Sequence, residues 1–351
     1  MSYLYSLLHR ISKGRCDCGE GGVFMRRLLA YMIGIVSFAV IVVPVLITGV
    51  NLSKESGGNM TDLSSLESVM LNVYLHDKNK IVSMTLEEYV QGVVGAEMPA
   101  EFSEAALQAQ AVAARTYAVK HMHKFGGSGV SDHPDADVST DHTVNQAWVS
   151  DDTLKERWGK KYYEYKQKIK LAVLKTQGMI LTYNDEPIHA LFHSTSGDRT
   201  ASAKEVWGND YPYLQSVECK WDTASPRYKD NKTISVANLA ESFGQDAVTV
   251  SAGNGDLIKI LSLTDSGRVA QIKIGNKNFT GSEVRNTLGL RSENFTIESK
   301  GDEIIFHTIG YGHGVGLCQY GANGMAKEGW AYQDILKYYY KGVELKNIYG
   351  S

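Results

Sequence analysis

Apolar positions along this chain change period several times, and each change marks an element. Leu28 to Val50 is an uncharged, almost continuous apolar run. At ~1.5 Å per helical residue it spans about 34 Å, enough to cross a bilayer with some tilt. After a polar stretch, Val73-Tyr74-Leu75 and Ile81-Val82 flank Asp77-Lys78-Asn79-Lys80 and read as a hairpin. Helical spacing then takes over. Thr85 and Glu88 stand as a capping box for a helix over Leu86 to Val94, with Leu86, Val90, Val93 and Val94 on its apolar face and Gly95 to end it. Ser103 can cap a second helix running past Tyr117, whose face of Leu107, Ala111, Ala114 and Ala118 is small enough for another backbone to approach. Phe125 to Thr143 reads as a long polar loop, and Leu154 to Thr176 has helical character, with Tyr162, Tyr165, Ile169 and Val173 repeating at helical spacing. Met179 to Tyr183 and Ile188 to His193 alternate like strands.

From Ile234 to Phe306 the texture shifts to short strands around Ile258 to Leu263, Val269 to Ile274, Phe295 to Ile297 and Ile304 to Phe306, with a short helix over Thr280 to Gly289. The glycine-rich Gly312-His313-Gly314-Val315-Gly316 leads into helices at Gln319 to Lys327 and Tyr332 to Tyr340. The expected class is α+β: a mixed helical and β domain (68–351) containing a smaller α+β insertion at 234–306, preceded by one transmembrane helix.

Charge orients the chain. Arg26 and Arg27 directly precede the apolar run, with Arg10, Lys13 and Arg15 further back. Positive residues stay inside, so 1–27 reads as a cytoplasmic tail, 28–50 as an uncleaved anchor, 51–67 as a linker and the remainder as extracytoplasmic. A cleaved signal peptide is the alternative, weakened by the length of the run and by Thr48-Gly49-Val50 as a cleavage site. Met25 is a second candidate start. A net charge of −3 gives no reason to expect nucleic acid. Of four cysteines, Cys16 and Cys18 lie in the tail, while Cys219 and Cys318 read as isolated core thiols, a disulfide between them being the alternative.

Glu97 sits between the first two helices beside Val94, Met98 and Pro99. Apolar neighbours penalise a charged carboxylate, which suits a general acid near neutral pH; a solvated turn residue is the competing reading. Phe192-His193-Ser194-Thr195-Ser196-Gly197 ends a strand in hydroxyls and an imidazole, fit either for a polar ligand or for an ordinary polar turn. The late glycines fit a ligand wall or tight packing. His133, Asp135, Asp137, Asp141 and His142 raise the question of a metal, but no cysteine stands nearby and no helix fixes their spacing. The His-Glu-x-x-His helix and the Gly-x-Ser-x-Gly elbow are both missing from the sequence. One acid with many tyrosines, amides and hydroxyls suits sugar rings. A single acid can cleave a glycan if the sugar's own hydroxyl displaces the leaving group, whereas ordinary hydrolysis wants two carboxylates.

Gly95-Ala96-Glu97-Met98-Pro99, followed by Ala109-Gln110-Ala111-Val112-Ala113-Ala114-Arg115-Thr116-Tyr117-Ala118, resembles the stage II sporulation protein D family. So do Phe192 to Gly197, Val206-Trp207-Gly208 with Pro212-Tyr213-Leu214, and Gly312 to Gly316 with Gln319-Tyr320-Gly321-Ala322. The resemblance runs from about Ile81 to the C-terminus. It implies a membrane-anchored lytic transglycosylase acting during engulfment in endospore formation, between the mother-cell and forespore membranes. Implied partners are peptidoglycan glycan strands and stage II sporulation proteins P, an amidase that strips stem peptides, and M. The family's catalytic acid falls on Glu97, and its substrate-contacting positions on Arg115, His193, Ser194, Thr195, Tyr228, Lys229 and Gln319; Arg115, several turns along the second helix, either orders the Glu97 turn or holds the lactyl and acetamido groups. Some relatives bind zinc in the loop equivalent to 133–143 through two Cys and two His; Ser139 and Thr143 stand where thiols are expected, so no metal or cofactor is expected here. Asp198 departs from a glycine common in relatives. A glycan-binding enhancer of a partner amidase and a structural membrane tether are the rival readings.

Overall fold

The computed structural model describes residues 68–141, 143–244 and 257–350; the expected tail, membrane segment and linker lie outside them. Among the described residues no helix is long and apolar enough to cross a membrane. The architecture is mixed α+β, with small sheets set around a helical core.

Strands Met70–Leu75 and Lys80–Thr85 pair antiparallel, as the hairpin pattern predicted. The capping box at Thr85 and Glu88 then starts helix α1, Leu86–Glu97. Gly95 does not end this helix. It runs through Glu97 and stops at Met98, whose successor Pro99 disfavours helical geometry in the residue before it. Gly95 serves instead as a contact point, since a Cβ there would lie 2.9 Å from the Leu154 side chain.

Helix α2, Glu104–His121, is buried along nearly its whole length. Its small residues let α1, the later helices and strand Met179–Tyr183 all close on it. Ser103 occupies the cap position, but its side chain does not cap; its backbone N–H donates to Asn323 Oδ1 at 2.9 Å, tying this end to the distant C-terminal region.

The helical stretch from Leu154 divides into two helices, α3 (Asp151–Trp158) and α4 (Tyr162–Lys175), because Gly159 takes a left-handed φ of 51° between them. Two expectations need correction. The loop after Phe125 contains a strand, Val138–Ser139, lying parallel to Met70–Leu75. The second expected strand, Ile188 to His193, forms only at its far end, where Phe192–His193 pairs elsewhere, while Glu186–Pro187 of the expected turn pairs with Met179–Tyr183. That last pairing decides the site. Phe192–His193 lies parallel to Leu317–Cys318, which brings two segments more than a hundred residues apart side by side.

Beyond the short helix α5 (Ala203–Trp207), strands Lys229–Ser235, Phe295–Lys300 and Glu303–Ile309 form one sheet, and Ile258–Leu263, Val269–Ile274 and Lys277–Thr280 another. With helices α6 (Val236–Phe243) and α7 (Gly281–Leu288) they enclose a second apolar cluster of Leu239, Ile272, Val284 and Phe306, separate from the main core. The sheet bonding begins at Lys229 and continues to Ile309, a little wider than the hydrophobic texture indicated. Helices α8 (Gln319–Lys327) and α9 (Tyr332–Tyr339) return the chain to the main core, where both pack on α2.

Candidate functional site

Glu97 is the last residue of α1, half-buried, with Val93, Val94 and Met98 closed off behind it. Its Oε1 accepts the Ala147 backbone N–H at 3.0 Å, and Gln319 Nε2 donates to its Oε2 at 3.5 Å. Gln319 is the first residue of α8 and also donates to Gln110 Oε1 on α2 at 3.3 Å. Three helices and the loop before α3 therefore fix one carboxyl group.

Open space lies on both sides of that group. On one side is a cleft of about 600 Å³ lined by Glu97, Pro99, Glu101, Arg157, Trp158, Tyr165, His193, Ser194, Arg227, Tyr311, Gln319 and Tyr320. On the other is a hollow of about 530 Å³ bounded by Glu97, Tyr117, Asn145, His189, Phe192, Trp207, Asn209, Tyr211 and His313. Aromatic faces, amides and hydroxyls dominate both. Two guanidinium groups, Arg157 and Arg227, belong to the first alone.

His193 is buried and neutral. Desolvation drives its pKa well below the ordinary value, with the nearby His313 and Arg268 adding to the effect. Its Nδ1 faces the Val315 carbonyl at 3.1 Å, and a carbonyl can only accept, so Nδ1 carries the proton. Nε2 then accepts from the Ser196 hydroxyl at 2.8 Å. Ser194 lines the cleft, whereas Thr195 is buried and spends its hydroxyl on Ser225 Oγ at 2.8 Å. The glycine-rich run works by close approach. A Cβ at Gly314, where φ is +80°, would meet the Arg268 guanidinium at 2.3 Å, and one at Gly316 would meet the Leu191 carbonyl at 2.1 Å. Gly312 also borders the cleft, so packing and ligand wall are both present.

Not every expected residue reaches the cleft. Arg115 is fully buried, and its guanidinium grips Glu87 through Nε at 3.0 Å and Nη2 at 2.6 Å. It also donates to the Met179 and Val173 carbonyls. A side chain so enclosed orders α1 against α2, α4 and a strand, and does not touch a polymer outside. Tyr228 turns its hydroxyl to Asp198 Oδ1 at 2.8 Å, and Lys229 is exposed at the start of a strand; their neighbours Pro226 and Arg227 line the cleft instead. Arg227 lies over the Tyr311 ring at 4.7 Å.

Sequence reasoning also missed Glu101, a second carboxylate at the cleft. The Tyr165 hydroxyl donates to it at 2.5 Å and holds its pKa below the usual carboxylate range. It missed Arg268 too, a buried residue in the turn just before strand Val269–Ile274, which donates to the Ser196 and Arg199 carbonyls and braces the hydroxyl loop from beneath. In the loop questioned for metal, His133 stacks on Tyr74 at 3.5 Å, and His142 lies outside the described residues. Cys219 and Cys318 are buried as expected but not isolated, because both stand with Asp222 within 4.8 Å of one another.

The family model described as "Stage II sporulation protein" matches residues 74–183, the segment that carries Glu97 and Arg115. Stage II sporulation protein D of Bacillus subtilis is 41% identical over 298 residues, covering 85% of this chain and 84% of the relative. The chain belongs to the stage II sporulation protein D family. Its relative in Bacillus amyloliquefaciens is 40% identical over 79% of this chain and 78% of its own length. A more distant relative, the amidase enhancer of Bacillus subtilis, is 28% identical over 73% of this chain and only 40% of its own length. In this member of the family, then, the Glu97 motif and the late Gln319 motif meet across the cleft, while the Arg115 motif supports them from the core.

Proposed function

We propose that this chain is a lytic transglycosylase of peptidoglycan, acting in endospore formation. Membership of a family whose curated members are stage II sporulation proteins supports the biological setting. What carries the chemical reading is the placement of Glu97 on the wall between two sugar-suited hollows, oriented by the Ala147 N–H and the Gln319 amide. A glycan strand crossing from one hollow to the other would present a glycosidic oxygen to this carboxyl group.

In the proposed reaction Glu97 begins protonated and gives its proton to the oxygen joining N-acetylmuramic acid to N-acetylglucosamine. The C–O bond breaks and the glucosamine leaves as an alcohol. The resulting carboxylate takes the proton of the muramyl 6-hydroxyl as that oxygen closes on the anomeric carbon, giving a 1,6-anhydro end. Glu97 is regenerated protonated, and no water is consumed. His193, neutral and locked to Ser196, fixes the position of Ser194 at the cleft wall rather than moving protons. The apolar run at 28–50 would hold the domain outside the membrane, beside an amidase that supplies glycan stripped of peptides.

Full-length chain in detergent, mixed with denuded glycan strands, tests the proposal. Mass spectrometry should find new anhydro ends, lost in E97Q with strand binding retained. Products heavier by one water would show hydrolysis instead, and their loss in E101Q would mark Glu101 as the second carboxylate. Intact strands retained by the protein would favour the second reading, a glycan-binding enhancer of an amidase, for which the amidase-enhancer relative speaks.

A further inference from the structure

The buried cluster beneath the hydroxyl loop takes no part in the proposed reaction, yet it gathers metal-binding donors. Cys219 Sγ, Cys318 Sγ and a carboxylate oxygen of Asp222 all lie within 4.8 Å of one another, and all three residues are closed to solvent. Tetrahedral zinc with metal–sulfur bonds of ~2.3 Å sets its sulfurs ~3.8 Å apart, so one ion can serve all three donors after side-chain shifts of up to about 1 Å. The Tyr339 hydroxyl, 3.3 Å from Cys219 Sγ, places a fourth potential donor, an oxygen, beside them.

A second observation points the same way. Among the described residues the buried Oδ1 of Asp222 has no hydrogen-bond partner. An acceptor removed from water and left unpaired is costly, more so if charged, and folds rarely tolerate one without a reason. The other oxygen is well served: Oδ2 accepts from the Ser196 N–H at 2.7 Å, the Gly197 N–H at 3.0 Å and the Cys318 thiol at 3.4 Å. Cys318 Sγ itself accepts the Gly321 N–H at 3.3 Å, at the start of α8. Such outer donors orient ligands and offset negative charge in known metal sites. They are also what two thiolates and a carboxylate would need in this interior.

We propose that Cys219, Cys318 and Asp222 form a closed structural site for zinc. Two thiolates with a carboxylate oxygen suit a borderline-soft d10 cation and discriminate against magnesium and calcium. Loading replaces the two thiol protons by the metal, and both protons leave to solvent; no electron is transferred. The ion would join the strand carrying His193 to the start of α8, because Asp222 holds the Ser196–Gly197 turn and Cys318 immediately precedes Gln319. Its role is to hold two walls of the cleft in register, whether or not Glu97 cleaves glycan.

The test uses the full-length chain carrying C16S and C18S, which removes the tail thiols, kept reduced and dialysed after exposure to zinc sulfate. Elemental analysis should give one zinc per chain, falling at least tenfold in C219S and C318S. If those variants fail to fold, cobalt(II) added to the parent decides the matter: thiolate-to-cobalt charge-transfer absorption is expected. Three results would each overturn the proposal: parent protein without zinc and with both thiols titratable after denaturation, a Cys219–Cys318 disulfide in its place, or zinc retained undiminished by the cysteine variants.

Discussion

Replacing Arg115 by Met separates a supporting role from a substrate-binding one. The guanidinium makes three contacts of 2.6 to 3.2 Å with the Glu87 carboxylate and donates to two carbonyls, with no part of its side chain exposed. Met fills comparable volume but leaves Glu87 uncompensated, although Oε1 keeps the Gly178 N–H at 3.1 Å. Losing one partner of a buried pair costs about 3–5 kcal/mol. Glu87 retains some contact with solvent, its side chain being 17% exposed, so the lower end, about 3 kcal/mol, is expected. Urea unfolding followed by tryptophan fluorescence measures it. Adding E87Q should return a large part of the loss, because the orphaned charge goes, and the two changes should couple by more than about 1 kcal/mol. Glycan affinity of the folded fraction should hardly change. An R115M chain of near-native stability with strongly reduced glycan binding would refute the reasoning.

Three further outcomes follow from the geometry. G314A should destabilise by roughly 1–3 kcal/mol from backbone strain alone, before Arg268 is displaced; an unshifted urea midpoint would contradict the contact. Burial, with help from Arg285 and Arg268, pushes His313 from 6.5 down to about 4, so it stays neutral in the fold while the unfolded chain takes up a proton. Stability should therefore fall as pH drops from about 6.5 to about 4, by about 3 kcal/mol at most ((6.5 − 4) × ~1.36); H313Q should flatten that part of the profile in pH-dependent denaturation. R227A should weaken binding of denuded strands a few-fold while leaving neutral chito-oligosaccharide binding nearly unchanged, because Arg227 is one of two cations at that hollow; equal losses for both ligands would argue against charge recognition.

The sequence made the local elements legible where one chemical signal dominated. The capping box at Thr85 and the alternation of Val269 to Ile274 survive without change because each is decided within a few residues. Errors arose where distant contacts overrode local preference. Gly95 reads as a terminator, yet the approach of Leu154 explains it and the helix continues to Glu97. Ile188 to His193 alternates like a strand, but its end is claimed by Leu317–Cys318 from the far end of the chain, and no local pattern encodes that partner.

The same distinction sorts the site residues. Glu97, Ser194 and Gln319 could be placed from their motifs because each sits at the end of an element, where side chains meet open space. Arg115 has an equally pronounced motif, but it lies in mid-helix on the most buried helix of the domain. A charged residue surrounded by alanines at core spacing needs an internal counter-charge, and Glu87 supplies it from the first turn of α1, the helix whose last residue is Glu97. That helix is therefore pinned at its start by an ion pair and at its end by the Ala147 N–H and the Gln319 amide. Loosening the first pin should shift the carboxyl group without touching substrate. Under the proposed reaction, a loss of cleavage in an Arg115 variant would therefore report where Glu97 points, and strand affinity, rather than turnover, would distinguish it from direct binding.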